Sequence, residues 1–298
     1  MKSRSYAIVA LLMVQVLYGL NFTFAKIVFN DNFVGPLAFV ILRVGGATIL
    51  FWLVSLFLPK EKVDKKDYFK FFMAAVFGVG INMILFLKGL QLTTPIHASA
   101  IVTITPVIIL VLSAIVLKEK VTKLKVLGVI LALGGALALT IYGKSTRAAD
   151  NVFLGNTFIF LNAIAYSIYI ILIKQLSAKY HPFTFIKWLF LFGFFLVLPF
   201  GIGELNAVEW QSFTPAITFA VLFVVVGATF GTYLLNPLAL TRLKASTVGV
   251  FIYLQPVIAG FFAMFMGVDT IDAIKIVAML FIFVGVYIVS YKPKQKSV

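Results

Sequence analysis

Two stretches of the chain, 150 residues apart, resemble each other. Leu90–Ile108 is LQLTTPIHASAIVTITPVI, and Leu240–Ile258 is LTRLKASTVGVFIYLQPVI. They align without gaps, and both end in Pro-Val-Ile, so that Pro106 lies opposite Pro256. Both stretches are long enough and apolar enough for membrane helices, yet each carries hydroxyl groups and a helix-breaking proline. Equivalent prolines in two such segments predict two copies of one structural unit.

The similarity continues on both sides of these stretches. At the same offset of 150, matching positions are Glu119 and Asp269, Lys125 and Lys275, and Gly135 and Gly285. Closer to the N-terminus, YGLNFTFAK (Tyr18–Lys26) lies opposite YSIYIILIK (Tyr166–Lys174), with Tyr and Lys at the same ends. The sequence therefore predicts two repeats, residues 1–147 and 148–298.

The composition places most of the chain in lipid. Of 298 residues, 62% are hydrophobic and 12% are charged, and the mean hydropathy is +1.09. Soluble domains are about 45–50% apolar and about 25% charged. The chain has no cysteine and two histidines, His97 and His181. These counts exclude a disulfide framework and a thiolate site, and we expect neither a metal nor a cofactor.

Apolar segments of membrane-spanning length recur along the chain. A hydrocarbon core of about 30 Å requires about 20 helical residues. Ten segments meet this length, which predicts an all-α polytopic membrane protein with ten transmembrane helices. The predicted spans are Tyr6–Lys26, Val34–Leu58, Tyr68–Leu87, Ile96–Leu117, Leu124–Tyr142, Phe153–Ile173, Phe183–Gly203, Thr214–Asn236, Ala245–Val268 and Ile271–Tyr291.

The basic residues orient these spans. With a cytoplasmic N-terminus, 19 of the 25 Lys and Arg residues lie on the inner side and 5 on the outer side, while Arg43 lies within a span. This asymmetry predicts that both termini are cytoplasmic, in a bacterial inner membrane. Because the positive charges separate apolar segments, the net charge of +15 does not indicate a nucleic-acid partner. Five spans per repeat is an odd number, so the second repeat is inverted, as in many transporters.

The two prolines have two interpretations. Each removes a backbone hydrogen bond in mid-membrane, which is tolerated where protein or a water-filled cavity satisfies the carbonyl group. A single proline in a membrane helix is commonly only a kink. A matched pair, Pro106 and Pro256, favours a cavity between the repeats.

Several segments together resemble the drug/metabolite transporter superfamily, specifically its EamA-type transporters. The matching segments are YGLNFTFAKI, PLAFVILRVGGA, the Leu90–Val107 block and LKEKVTKLKVLGVILALGGALAL, and the resemblance covers essentially the whole chain. The chain departs from the family pattern after the ninth span, where GVDTID places Asp269 at a position usually occupied by Glu. The resemblance implies a ten-helix, inverted-repeat carrier with a central cavity. It also implies that helices one to four and six to nine line the cavity, and that the substrate is an amino acid, another metabolite, a nucleotide-linked sugar or a drug.

Polar side chains within the spans are candidates for the substrate site. Such side chains are costly in lipid and usually face the bundle interior. Helical spacing places Tyr18 with Asn21, and Asn162 with Tyr166 and Tyr169, on common faces. The candidate substrate-binding residues are Tyr18, Asn21, Arg43, Asn82, His97, Thr103, Asn162, Tyr166, Tyr169, Tyr233, Tyr253 and Gln255.

Alternative roles remain open for these residues. Hydroxyl groups in membrane helices also bond to neighbouring helices. Arg43 has two possible roles, holding a substrate carboxylate or bracing neighbouring helices. The resemblance favours the brace, because the family usually has an Arg here whatever the substrate. His97 has two possible roles, carrying a proton or acting as an interfacial hydrogen-bonding group. The glycines Gly128, Gly134, Gly135, Gly227 and Gly231 are predicted to allow close helix packing.

No acidic residue is predicted at mid-membrane, and the motifs H-E-x-x-H, G-x-S-x-G and Walker A are absent from the sequence. These features make a membrane enzyme unlikely and favour a secondary carrier that works by alternating access. The predicted substrate is a small polar or amphipathic metabolite, with an amino acid as the leading candidate, and the predicted mode is export or exchange. A flippase for a lipid or lipid-linked head group is the alternative. The expected partners are this substrate and membrane lipids, in a monomer or homodimer.

Overall fold

The structure is a computed structural model that describes residues 2–30, 33–93, 98, 101–141, 151–265 and 273–290. Helices occupy most of these residues, within the regions where the sequence predicts spans. The helices are α1 (Lys2–Asn30), α2 (Pro36–Ser55), α3 (Asp67–Leu92), α4 (Thr105–Val116), α5 (Lys123–Ile141), α6 (Val152–Leu176), α7 (Pro182–Asn206), α8 (Pro215–Leu240), α9 (Ala245–Val250 continued by Leu254–Phe265) and α10 (Ala273–Ser290).

Six of the described helices are long and apolar enough to cross a bilayer, namely α1, α2, α3, α6, α7 and α8. The chain is therefore a multi-pass membrane protein. Large apolar side chains such as Ile115, Phe195 and Phe219 are exposed, as expected of surfaces that face lipid.

The helices α5 and α10 pack together through their backbones. A Cβ atom on Gly135 would lie 2.5 Å from the Ala278 carbonyl oxygen, and one on Gly285 would overlap the Gly128 carbonyl oxygen. Only residues without a Cβ allow this approach. The packing prediction holds for Gly128 and Gly135, but it is wrong for Gly134, because a Cβ there would meet no atom of the described residues within 4 Å.

The helices α2 and α7 run antiparallel, and a carboxylate meets the N-terminus of each: Glu204 from the end of α7, and Glu61 from the segment that follows α2. The Glu204 Oε2 atom accepts hydrogen bonds from the Leu37 and Ala38 amides, at 2.7 and 3.2 Å. At the opposite end, Glu61 Oε2 accepts from the His181 amide at 3.0 Å. The carboxylates satisfy amides that a helix leaves unpaired and complement its dipole. These contacts tie the two predicted repeats together at both ends.

Polar contacts also join the segments that the sequence places on the cytoplasmic side. Glu119 accepts hydrogen bonds from the Ala245 amide at 2.9 Å and the Ser246 hydroxyl at 2.5 Å, at the start of α9. Lys179 binds Asp64 and Asp67, and these bonds raise the pKa of the Lys179 ammonium group above its usual range. Hydrogen bonds to backbone amides and carboxylate–lysine pairs thus hold this end of the helix bundle together.

Candidate substrate site

A polar cavity of about 100 Å³ lies among α1, α2, α3, α6, α8, α9 and the segment that leads into α4. Its lining combines amide, hydroxyl and guanidinium groups with a few apolar side chains. The lining residues are Tyr18, Asn21, Arg43, Asn82, Met83, Phe86, Val102, Thr105, Asn162, Tyr166, Tyr233, Ile252 and Gln255.

Eight of the twelve predicted site residues lie in this lining, namely Tyr18, Asn21, Arg43, Asn82, Asn162, Tyr166, Tyr233 and Gln255. Contact between these residues and a substrate stays a prediction. Thr103, Tyr169 and Tyr253 are buried outside the lining. His97 lies outside the described residues.

Arg43 is the cation of the cavity. It is 5% exposed, and its Nε atom donates to the Thr229 Oγ1 atom at 3.1 Å. The Thr229 hydroxyl in turn donates to the Val224 carbonyl, five residues earlier, at 2.7 Å. This five-residue step belongs to a π-helical segment, Phe223–Gly231, inside α8. The irregular segment therefore positions the group that holds Arg43.

A second π-helical segment, Val76–Ile81, interrupts α3. It supplies the Gly78 carbonyl, which accepts a hydrogen bond of 2.5 Å from the Tyr233 hydroxyl. In both helices regular α-helix resumes at residues 150 apart, Asn82 and Thr232. The sequence predicts uninterrupted helices here. Both segments contain glycines, which tolerate the change from regular α-helix to π-helix, but glycine alone does not predict a π-helix.

The Tyr169 ring packs behind the lining, where a Cβ on Gly78 would overlap it. Its ring centroid lies 5.5 Å from that of Tyr233. Among the described residues its hydroxyl has no hydrogen-bond partner. Tyr169 therefore supports a lining tyrosine and does not itself reach the cavity.

The two matched prolines follow breaks in their helices. A turn at Thr103 and Ile104 precedes Pro106, and a 3₁₀ turn, Phe251–Tyr253, precedes Pro256. A proline cannot donate a hydrogen bond to the carbonyl group four residues earlier, which here belongs to Val102 or Ile252. Both of these residues line the cavity.

These turns explain why Tyr253 and Thr103 miss the lining. A regular α-helix turns by about 100° per residue and a 3₁₀ helix by about 120°, so a three-residue 3₁₀ turn displaces the following face by about 60°. Regular α-helical spacing therefore predicts that Tyr253 faces the cavity, whereas Ile252 and Gln255 are the residues in the lining. In the first repeat Val102 and Thr105 occupy the equivalent positions.

The amides of the lining have different partners. Asn162 donates to the Asn82 carbonyl at 2.8 Å, which links α6 to α3. The Gln255 Nε2 atom donates at 3.0 Å to the Oε1 atom of Gln15, a buried α1 residue that is not among the predicted site residues. The Asn21 Oδ1 atom is buried and has no hydrogen-bond partner within the described part of the chain. Asn21 therefore lines the cavity with an amide whose oxygen is covered in this conformation and lacks a donor.

None of the described residues that line the cavity carries a carboxylate group. Across the described segments, the acidic side chains with ion-pair partners pair with lysines near helix ends, and none pairs with Arg43. The described residues also include no cluster of three His, Cys, Asp or Glu residues suited to a metal ion. The site is therefore cationic, rich in hydrogen-bonding groups and flanked by aromatic rings.

Comparison with known proteins identifies a transporter family. A family model described as the EamA-like transporter family matches the chain twice, over residues 5–141 and 153–291. An uncharacterized transporter from Archaeoglobus fulgidus is 26% identical over 284 residues, which cover 95% of this chain and 98% of that protein.

Two other relatives match a smaller part of the chain. The uncharacterized transporter YetK from Bacillus subtilis is 25% identical over 234 residues, 78% of this chain and 71% of YetK. The WAT1-related protein At4g30420 from Arabidopsis thaliana is 27% identical over 216 residues, 62% of this chain and 57% of that protein. A solved structure described only as a crystal structure of a protein has a TM-score of 0.77 at 16% identity, covering 95% of this chain and 96% of its own, which shows a shared fold.

Proposed function

Since the chain belongs to the EamA-like transporter family, we propose that it is a secondary carrier that moves a small polar or amphipathic metabolite by alternating access. The polar cavity among helices of both halves carries this proposal. Carriers built from repeats bind their substrates near the midplane, at the repeat interface. The leading substrate candidate is an amino acid, and the proposed mode is export or exchange across a bacterial inner membrane.

The proposed architecture is two inverted five-helix repeats, residues 1–147 and 148–298, with ten membrane crossings and cytoplasmic termini. Three observations support it. The family model matches twice. Cavity residues pair at the offset of 150, as Val102 with Ile252 and Thr105 with Gln255. The contact between Gly128 and Gly285 has its counterpart, at the same offset, in the contact between Ala278 and Gly135.

The proposed transport cycle opens the cavity first to one side and then to the other. In this conformation the cavity is smaller than the roughly 300–1,000 Å³ of typical small-molecule sites. A whole amphipathic substrate therefore requires movement of the lining helices. The helix breaks before Pro106 and Pro256 are suitable places for such movement, because local departures from regular helix absorb changes of backbone angle.

A lipid flippase is the less favoured alternative. A head group requires a polar path that is open laterally to lipid. A second depression lies between α5 and α10, and apolar side chains and glycines line it, including Leu131, Gly134, Val277 and Phe281. The described residues of this lining offer no charged or hydroxyl side chain to a phosphate group, whereas the central cavity presents several polar groups. This distribution favours a small solute.

Counterflow in proteoliposomes tests the proposed function. Purified protein is reconstituted with an unlabelled amino acid inside, and entry of the same labelled amino acid is measured across a panel. We expect saturable exchange for some members, reduced at least about tenfold in Asn21→Ala and Gln255→Ala. The matched control is Ser113→Ala, because Ser113 is fully buried in α4 away from the cavity. A folded Asn21→Ala protein that exchanges as fast as Ser113→Ala would remove the cavity from the mechanism.

The same assay separates substrate from fold. If amino acids do not exchange but phosphorylated or nucleotide-linked sugars do, the carrier proposal stands and the amino-acid assignment is wrong. If labelled phospholipid moves between leaflets and no solute exchanges, the flippase alternative replaces the carrier proposal.

A further inference from the structure

We propose that the cavity selects its solute by an anionic group, with Arg43 binding a carboxylate or similar compact oxyanion and Asn21 accepting a hydrogen bond from an adjacent donor. This inference rests on the proposed carrier function, because it names the class of solute that the same cavity binds. It predicts that α-amino or α-hydroxy acids bind, and that the corresponding carboxamides and simple amines, which lack the carboxylate, do not.

Arg43 carries a positive charge although it is buried. A guanidinium group stays protonated in proteins, so burial does not neutralise it. At 5% exposure Arg43 lies largely out of contact with the protein surface. A buried charge is costly unless an opposite charge or several hydrogen-bond acceptors compensate it.

The described residues supply no negative charge to compensate Arg43. The described acidic residues are Glu61, Asp64, Asp67, Glu119, Glu204 and Glu209. Asp67 pairs with Lys70 and Lys179, and Glu119 and Glu204 pair with their own lysines. None lines the cavity. The polar neighbours of Arg43 in the cavity, such as Tyr18 and Tyr233, carry neutral hydroxyl groups. The positive charge therefore remains available to a solute.

The geometry of the Arg43 guanidinium group also suits an oxyanion. Its hydrogen bond to protein in the described structure runs from Nε to Thr229. The hydroxyl of Thr229 is itself held by the Val224 carbonyl. This fixes one edge of the planar group and leaves the two terminal nitrogens, whose paired donors match the two oxygens of a carboxylate or phosphate.

Asn21 contributes a second polar group to the same cavity, an amide oxygen that can accept a hydrogen bond. Asn21 is 5% exposed, and its Oδ1 atom has no partner among the described residues. A buried amide oxygen is stabilised by a donor. A solute with an ammonium or hydroxyl group beside its oxyanion satisfies both residues together. The cavity volume of about 100 Å³ suits this compact polar end, with the remainder of the solute accommodated as the helices move.

The competing interpretation is that Arg43 only braces α2 against α8 through Thr229. A brace predicts a loss of stability on substitution, with no dependence on the charge of the solute. Selectivity of the wild-type protein therefore distinguishes the two roles without any substitution.

The test compares solutes that share a side chain. For each amino acid on the panel, counterflow is measured with the acid, its carboxamide, its α-hydroxy acid and the corresponding amine. In parallel, the shift in thermal unfolding temperature is measured in detergent with the same compounds. We expect the two acids to exchange and to stabilise the protein, with the amide and the amine at least about tenfold weaker. Arg43→Gln is expected to lose this preference and Arg43→Lys to retain part of it, because lysine keeps the charge without the fork.

Thr229→Val is expected to weaken acid binding while Arg43 is retained, and Tyr253→Phe, outside the lining, serves as the control. If Arg43→Gln does not fold, the wild-type selectivity and the Arg43→Lys and Thr229→Val proteins decide the question. Exchange of amides or amines as readily as acids would overturn the proposal, as would folded Arg43→Gln with unchanged acid selectivity.

The two proposals fail in different ways. If no solute exchanges but acids still stabilise the wild-type protein and not Arg43→Gln, the anion site stands and the carrier function is wrong. If carboxamides and amines exchange as readily as the acids, the carrier function stands and the anion site is wrong. If nothing exchanges and no acid stabilises the protein, both are wrong.

Discussion

At the scale of single residues, hydrogen-bond partners distinguish side chains that the sequence treats alike. Tyr233 and Tyr253 are both tyrosines of the second half and both are buried. The Tyr233 hydroxyl donates to the Gly78 carbonyl, whereas the Tyr253 hydroxyl has no partner among the described residues. Their contributions to stability should therefore differ, although each substitution with phenylalanine removes the same atom.

We expect Tyr233→Phe to lower the free energy of unfolding by about 1–2 kcal/mol, because a buried carbonyl loses its hydrogen bond. Tyr253→Phe is expected to be neutral or slightly stabilising, because it removes a buried hydroxyl that is not hydrogen-bonded. The measurement is the midpoint of denaturant-induced unfolding in mixed micelles. Equal losses in both proteins would show that the hydroxyl partner does not determine the effect.

Helical spacing groups side chains onto a common face only where a helix is regular. Asn162 and Tyr166 are four residues apart in an unbroken part of α6, and both lie in the cavity lining. Tyr253 lies outside this lining, because the 3₁₀ turn before Pro256 rotates the chain. Gln15 was missed because its role depends on Gln255, which lies on a distant part of the chain.

At the scale of elements, close backbone contact fixes the pair α5 and α10. Neighbouring glycines on α5 have different environments, since Gly135 contacts Ala278 and Gly134 has open space around it. The sequence could predict that glycines allow close packing, but not which of two adjacent glycines faces the partner helix. That choice depends on the rotation of α5 about its axis.

We expect Gly135→Ala to destabilise the protein by about 1–3 kcal/mol, because the new methyl group overlaps the backbone of α10. Gly134→Ala is the matched control and is expected to be neutral or stabilising by up to about 1 kcal/mol, through helix propensity alone. Thermal unfolding in mild detergent measures both. A stable Gly135→Ala protein with wild-type unfolding would contradict the close approach of these helices.

At the scale of the whole molecule, charge and repeat pattern predict a topology that the helix bounds alone do not establish. Six described helices are long and apolar enough to span a bilayer. The shorter helices and the orientation remain predictions, and the positive charges of the loops carry the prediction of sidedness. The chain is well suited to a direct test, because it contains no cysteine.

Single cysteines introduced at exposed loop positions report the sidedness. Lys62, between α2 and α3, is predicted to be cytoplasmic, and Gln211, between α7 and α8, is predicted to be external. In intact cells a membrane-impermeant maleimide should label Gln211→Cys and not Lys62→Cys, and permeabilised cells should show labelling of both. The reverse pattern in intact cells would invert the topology, and labelling of both would contradict the helix count between them.

Alternating access to the central cavity is the main claim, and the accessibility of one cavity residue from both sides of the membrane tests it most directly. Thr105→Cys places a thiol in the lining, and Ser113→Cys places one in the same helix, fully buried. A membrane-impermeant maleimide should react with Thr105→Cys in both right-side-out and inside-out vesicles, and with Ser113→Cys in neither. Reaction of Thr105→Cys from one side only, with transport intact, would contradict alternating access at this cavity.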